Sequence, residues 1–461
     1  MSKVSRNKSF LDLFWSFSDN LLQQVINFVV GIILARILMP EEFGLIGIVT
    51  AFVTISNVFV DGGLSAALIN KNKVLQRDYN TVFISNIVVS IFLYLVLFYF
   101  AELISVFFEK EEVKPLLQLT GLNIVLLSFS AIHRTIMIKR LTFKKITLIS
   151  LVSVSISGCV AIVMAYKGFG VYSLVFRVLT GQFITVVLFW MLNKWRPNFK
   201  FSKSSFKELF GYGVNLMFSN FLNVLQSNIY YFLIGKYFSP VQLGYYTRAN
   251  TFKDLASNNI SNTIKRVSFS TLSKIEDGDT RFEKFVFFQS INYLLISFSM
   301  IFLFFFANEI ILILLTNKWE KAIYILKILS LSGLFFSLYN LNLDFLAVLR
   351  CTKTYLKIEL LGKILILPIV LVTLFFDFEM FIYSVVVHAS FMYSISLYKV
   401  NKKNSKVLKI QLSMIMKFLL SIIILSLTEI GYLNILIKLL MFLSLFYILN
   451  IKLIRKVFKS F

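Results

Sequence analysis

Long apolar runs, separated by short polar and mostly basic connections, organise this chain. Each run is about 20 residues long, enough for a helix to cross a hydrocarbon core ~30 Å thick. None shows the alternation of about ten residues that marks barrel strands. The pattern predicts about fourteen transmembrane helices, centred near Phe28, Val53, Ile91, Val125, Val154, Leu179, Asn223, Leu255, Ser297, Gly333, Pro368, Val387, Ile422 and Leu443. The longest polar connection, Ser270 to Lys284, is too short for a catalytic or nucleotide-binding domain. The first span follows Lys3, Arg6 and Lys8 and is interrupted by Asp19 and Asn20; with no small-residue cleavage site after it, it is expected to remain uncleaved.

A second pattern lies over the first. Arg36-x-x-x-Pro40-x-x-x-Gly44 returns as Lys236-x-x-x-Pro240-x-x-x-Gly244, in a register that also aligns Phe10 with Phe210, Asn20 with Asn220, Leu22 with Leu222 and Phe52 with Phe252. The chain has only five prolines, which makes coincidence a weak account. Internal repeats are how many transporters are built. The two copies start about six spans apart, an even number, so they share one orientation in the membrane. The expected architecture is an all-α polytopic protein with two parallel six-helix lobes, residues 1–200 and 201–408, followed by two further helices in residues 409–461.

Composition agrees: 58% of the 461 residues are hydrophobic and 15% are charged, with a mean hydropathy of +0.80, outside the range of soluble domains. The net charge of +24 matters through its distribution. Bases gather in alternate connections, around Lys71/Lys73/Arg77, Lys139/Arg140/Lys144/Lys145, Lys194 to Lys207, Lys265 to Lys284, Arg350/Lys353/Lys357, Lys399 to Lys409 and Lys452 to Lys459. The intervening connections carry acids, at Glu41/Glu42, Glu109 to Lys114, Asp377/Glu379 and Glu429, with Lys318 and Lys321 as the main exception. The positive-inside rule places the basic set and both termini in the cytoplasm. Topology thus accounts for the charge, and no nucleic-acid partner is expected. Cys159 and Cys351 offer neither a disulfide framework nor a metal site, no phosphate-binding Gly-Lys loop occurs, and no cofactor or enzymatic activity is expected.

Some charges fall where lipid would not tolerate them. The stretch after Gly244 places Arg248, Asn250, Lys253, Asp254, Asn258, Asn259 and Asn262 within one span. A charge at mid-bilayer costs roughly 2.5–3.5 kcal/mol even on insertion scales, so such groups line cavities or pair together. On a helical period Arg248, Leu255, Asn259, Asn262 and Arg266 share one face, while Asp254, Asn258, Ser261 and Lys265 share an adjoining one. In the first copy Thr50, Thr54, Asn57, Asp61 and Ser65 form a single polar stripe. Asp61 stands out: it pairs with a cavity arginine, or it titrates and couples transport to protons. Arg177 is a candidate cavity residue. Arg134 is placed to snorkel, and His133 and His388 read as packing residues. Asp344 is either a second solitary acid or part of a polar cluster with Asn340 and Asn342. Tyr245 and Tyr246 are candidates for sugar stacking.

The run ILARILMPEEFGLIGIVTAF with VFVDGGLSAALI, and the later GYYTRANTF with SNTIKRVSFSTLSKI, resemble polysaccharide exporters of the multidrug/oligosaccharidyl-lipid/polysaccharide superfamily. They are most similar to Wzx-type flippases of the colanic-acid and teichuronic-acid branch. The resemblance implies alternating access that carries a lipid-linked oligosaccharide of the undecaprenyl-diphosphate type between leaflets of a bacterial inner membrane, for O-antigen, capsule or exopolysaccharide. It also implies work alongside a polysaccharide polymerase and a chain-length regulator. It places substrate contacts at Arg248, Asn250 and Lys253, with Arg177 beside them; from the residue pattern itself, Asn259 joins the substrate-binding candidates, and Asp61 and Asp254 are candidates for a cavity ion pair or coupling group. A cation-coupled multidrug pump of the same superfamily is the alternative, and a membrane-embedded polymerase or ligase a more distant one.

Overall fold

The computed structural model describes residues 21–198, 200–428 and 435–459. Phe10, Asp19, Asn20 and Glu429, along with the bases before residue 21, lie outside these residues. What is described is helical throughout its length, with no strand among the described residues. All fourteen expected centres fall inside helices: α1 (Leu21–Ile37), α2 (Pro40–Asp61), α4 (Gln76–Phe108), α5 (Val113–Lys139), α6 (Phe143–Tyr166), α7 (Tyr172–Leu192), α8 (Lys203–Tyr237), α9 (Pro240–Leu272), α10 (Gly278–Phe305), α12 (Lys321–Val348), α14 (Ile366–Phe375), α15 (Phe378–Asn401), α16 (Lys406–Thr428) and α17 (Ile435–Lys459). Three shorter helices, α3 (Leu64–Asn70), α11 (Ala307–Leu315) and α13 (Thr352–Ile364), complete the set. Among the described residues, eleven segments are long and apolar enough to cross a membrane, α13 and α14 counting as one. α8 and α9 are long enough, at 35 and 33 residues, but carry too many polar residues to be counted with them.

Two compact units divide the chain, residues 1–244 and 245–461. In the first, both copies of the repeated motif start a helix by the same device. Pro40 and Pro240 stand at the first helical position, where a missing N–H costs nothing. The third residue then reaches back: the Met39 N–H donates to Glu42 Oε2 at 2.6 Å, and the Gln242 N–H donates to Ser239 Oγ at 3.1 Å while Ser239 Oγ donates to Gln242 Oε1. The glycines serve a different purpose. A Cβ built on Gly44 would lie 1.8 Å from the Pro240 carbonyl oxygen, and one on Gly244 would lie 1.9 Å from that of Pro40. Each copy's glycine is the socket for the other copy's proline.

α8 packs along α2 and is fastened at both ends. Near its start, Gly63 lies so close to Gly213 that a Cβ there would come within 2.2 Å of a carbonyl oxygen, and Lys71 bonds Glu208 at 2.8 Å. There Ser205 Oγ also donates to the fully buried Asp78 at 2.7 Å. At its other end Lys236 meets Glu109 at 2.9 Å. Between them Phe52 packs edge-on against Phe232, and Phe59 lies against Phe221. The connection from α7 is laced to α4 as well, through Trp195 Nε1 to Gln76 Oε1 and the Asn198 N–H to Asn80 Oδ1.

One expectation fails at this level. The polar stripe from Thr50 to Ser65 is not one helix, because Gly62 and Gly63 take left-handed φ values of 55° and 72° and end α2 at Asp61. Ser65 belongs to α3 and accepts a hydrogen bond from Thr135 at 2.9 Å.

The second unit is built around a buried amide network. Asn342 Oδ1 on α12 accepts from Gln289 of α10 (2.9 Å) and Gln411 of α16 (2.8 Å), and Asn342 Nδ2 donates to Ser396 of α15. Tyr393 OH donates to Gln411 at 2.9 Å. Such groups would be costly among lipid tails, and satisfying one another fixes four helices in register. At the start of α17, Lys438 pairs with Glu309 of α11 at 2.7 Å, both largely buried.

Candidate functional site

α9 is the most polar of the long helices, and its two faces have separate tasks. Leu243, Tyr246, Ala249, Phe252, Ser257, Ser261, Ile264 and Ser268 are buried at helical spacing, so one side packs inward. Ser261 Oγ lies 2.5 Å from Ser337 Oγ of α12, which in turn exchanges hydrogen bonds with Asn292 of α10. Lys265 pairs with Asp344 at 3.0 Å. The face shared by Asp254, Ser261 and Lys265 therefore docks onto α12 over its second half, whereas Asn262 and Arg266 on the other face remain exposed.

Three expected site residues come together. Asn250 Nδ2 donates to Asp254 Oδ2 at 2.8 Å, one turn apart, and Lys253 Nζ lies 3.1 Å from Asp254 Oδ1. Asp254 thus holds both an amide and an ammonium. The Lys253 stem runs past Gly333 of α12, where an added Cβ would sit 3.5 Å from Lys253 Cγ, leaving the charged end at the edge of the packed face. Arg248 is half-buried on the same helix. Asn259 turns back on its own helix, donating to the Leu255 carbonyl at 2.9 Å.

In the first unit Arg177 of α7 donates to Asn27 of α1 at 2.7 Å, on an exposed face of α1. Asn27 carries no sequence signal of its own; only the pairing shows its place. Asp61 sits where α2 gives way to α3, its carboxylate facing the N–H groups of Gly63 and Ser65 and the Ser65 hydroxyl.

Several secondary candidates resolve into packing. Tyr246 is buried edge-on against Phe381, and Tyr245 lies edge-on to Trp319. His133 is fully buried between Trp190 and Trp195, with ring centroids at 4.9 and 5.3 Å. His388 lies 3.2 Å from the Gly362 carbonyl, and Arg134 is exposed. Asp344 belongs to the Lys265 pair, with Asn342 in the amide network beside it.

The repeated motif and α9 fall within a stretch, residues 33–324, that matches the family model described as "Polysaccharide biosynthesis protein". The chain belongs to this family. Similar proteins include the succinoglycan biosynthesis transport protein ExoT of Rhizobium meliloti, 25% identical over 67% of this chain and 62% of that protein. The teichuronic acid biosynthesis protein TuaB of Bacillus subtilis is 23% identical, over 62% of this chain and 60% of its own length. The lipopolysaccharide biosynthesis protein WzxC of Escherichia coli is 22% identical, over 73% and 69%. The matched stretches of ExoT and TuaB are thus less than two thirds of either protein. Among solved structures, the lipid II flippase MurJ in an inward-closed conformation superposes with a TM-score of 0.72 at 18% identity, over 97% of this chain and all of that one. A multidrug resistance transporter of the MATE family gives 0.65 at 13% identity, over 84% of this chain and 96% of its own. At these identities the likeness shows a shared fold, and this member of the polysaccharide biosynthesis family is an all-α polytopic membrane protein of that fold.

Proposed function

We propose that this polysaccharide biosynthesis family member is a flippase that carries a polyprenyl-diphosphate-linked oligosaccharide from the cytoplasmic to the outer leaflet of a bacterial inner membrane by alternating access. The observation that carries this reading is α9, a 33-residue helix too polar to face lipid, bearing Arg248, Asn250, Lys253, Asp254 and Asn259. Arg and Lys meet a diphosphate through charge-assisted hydrogen bonds, and amides suit hydrated sugars. The Asp254 carboxylate holds Lys253 until a phosphate replaces it, and Arg177 with Asn27 supplies a polar group in the first half. The prenyl tail stays in the bilayer, so no pocket for it is required.

In this reading the lobes comprise residues 1–200 and 201–408, with residues 409–461 outside the duplication. The basic connections and both termini lie in the cytoplasm. The flipped product passes to a polymerase and its chain-length regulator, and no catalytic residue is assigned to this chain.

The test is complementation in cells deleted for their own gene. Arg248→Ala and Lys253→Ala are each expected to lower surface polysaccharide by roughly tenfold or more, as losing a charged hydrogen bond of about 1.5–3 kcal/mol implies. If both variants reach the membrane at normal levels and export normally, α9 is not the substrate wall.

A further inference from the structure

Outside the candidate site, the second unit contains a cleft of about 610 Å³ where α10 and α16 begin and α17 ends. Its volume lies within the ~300–1,000 Å³ range of pockets that enclose small ligands. The adjoining segments, residues 273–279 and 401–406, are polar, which sets the cleft at the boundary between water and hydrocarbon. The lining is divided. Asp279, Glu283, Lys284 and Lys406 are exposed at the rim, while Phe282, Val286, Phe287 and Ile410 are half-buried and Val457 is buried.

The rim carries two cations and two carboxylates, and among the described residues these have no ion-pair partner elsewhere. Of two neighbouring charges, Asp277 caps α10, accepting from the Thr280 N–H at 2.7 Å, and Arg281 donates to the backbone carbonyls of Ile275 and Glu276. The start of α16 is capped by Asn404 Oδ1 on the Lys406 N–H and by Asn401 Oδ1 on the Leu408 N–H. By contrast, none of the four rim residues makes an ion pair among the described residues. Lys284 lies over the Phe287 ring at 5.4 Å, which brings its ammonium to the edge of the apolar floor.

We propose that this cleft binds one phospholipid with a zwitterionic, primary-amine headgroup, as in phosphatidylethanolamine, with its phosphate on Lys284 and Lys406 and its ammonium on Asp279 and Glu283. The start of one acyl chain rests on Phe282, Phe287, Ile410 and Val457. A purely anionic headgroup leaves both carboxylates facing negative charge, and a quaternary amine cannot donate the hydrogen bonds they accept. The bound lipid would join α16 and α17 to α10 where the helices meet water, in addition to the buried amide network. Binding at this place does not depend on what the protein transports.

Native mass spectrometry of the full-length protein in detergent, after delipidation and addition of defined lipids, tests this. Phosphatidylethanolamine is expected to be retained at one copy and roughly tenfold more strongly than phosphatidylcholine or phosphatidylglycerol. The double variant Lys284→Glu/Lys406→Glu should lose that retention, and Asp279→Lys/Glu283→Lys should redirect it to phosphatidylglycerol. All four positions are exposed, so the fold should survive, as circular dichroism can confirm. Equal retention of the three lipids, or retention indifferent to both double variants, overturns the proposal. So does competition by soluble phosphoethanolamine at the concentration at which the lipid binds, because the apolar floor would then contribute nothing.

Discussion

A single methyl group decides the character of several positions. Gly44→Ala and Gly244→Ala each drive a Cβ into a proline carbonyl in the opposite copy of the motif. Backbone, unlike the end of a side chain, cannot turn aside, so each is expected to cost ~3 kcal/mol or more, the upper end of overpacking, and to lower the midpoint of thermal unfolding in detergent. Gly211→Ala is the control. Nothing lies within 4 Å of its Cβ position, and within α8 the change should stabilise by about 0.5–1 kcal/mol. Asp61 makes a different case. Since Asp61 closes α2 at the Gly62–Gly63 turn, Asp61→Asn keeps an acceptor oxygen there and is expected to preserve the fold, so export in the variant tests its dependence on a proton gradient. Loss of that dependence in the variant would mark Asp61 as the coupling group, and its persistence would remove that role. Among the site residues, the sequence makes Arg248, Lys253 and Asp254 conspicuous because charge inside a span is costly. It is silent on Asn27, an ordinary amide whose meaning comes only from the arginine that reaches it.

Polar contacts at helix ends add to the packing of the buried apolar faces. Lys438 and Glu309 tie α17 to α11 with little water around either. Lys438→Ala leaves a buried carboxylate alone and should cost about 3 kcal/mol, whereas adding Glu309→Gln should recover much of it; thermal unfolding of both variants checks the pair. At the far end of α8 the Lys236 ammonium beside Glu109 holds its carboxyl below the ordinary range. A depressed value in the folded state means that the clamp is fully present above the ordinary glutamate value of about 4.3 and is lost as pH falls through the lower folded value. Hydrogen-exchange protection in the last turn of α8, corrected for intrinsic rates, should hold from neutral pH to about 5 and decline below it, and Glu109→Gln should remove the decline. Helix existence is legible in hydropathy, since every expected centre falls within a helix. The interruptions are harder to foresee. The Gly62–Gly63 turn, the break between α13 and α14 before Pro368, and the α11 elbow arise from backbone geometry and tertiary packing within otherwise apolar stretches.

At the scale of the whole molecule, orientation rests on charge. Cysteines at Glu111 and Lys402, introduced after replacing Cys159 and Cys351, are expected to react with a membrane-impermeant reagent from outside in the first case and only after permeabilisation in the second. The reverse result would invert the topology. Residues 1–244 form a compact unit with α8 included, although the repeat register starts its second copy near residue 201. Hydropathy and repeats report ancestry and membrane crossings. They do not report which helix is fastened to which, and that depends on contacts such as Ser205 with Asp78 that join residues far apart in sequence.

The crossed prolines and glycines also bear on how this chain can change over time. Over most of their length the two stretches that carry the motif differ in sequence. At this crossing neither copy can drift alone. A side chain gained at Gly44 has to be accommodated at Pro240, and one gained at Gly244 has to be accommodated at Pro40. A change at either glycine is thus constrained by a residue about 200 positions away, and the two occurrences of the motif act as one unit.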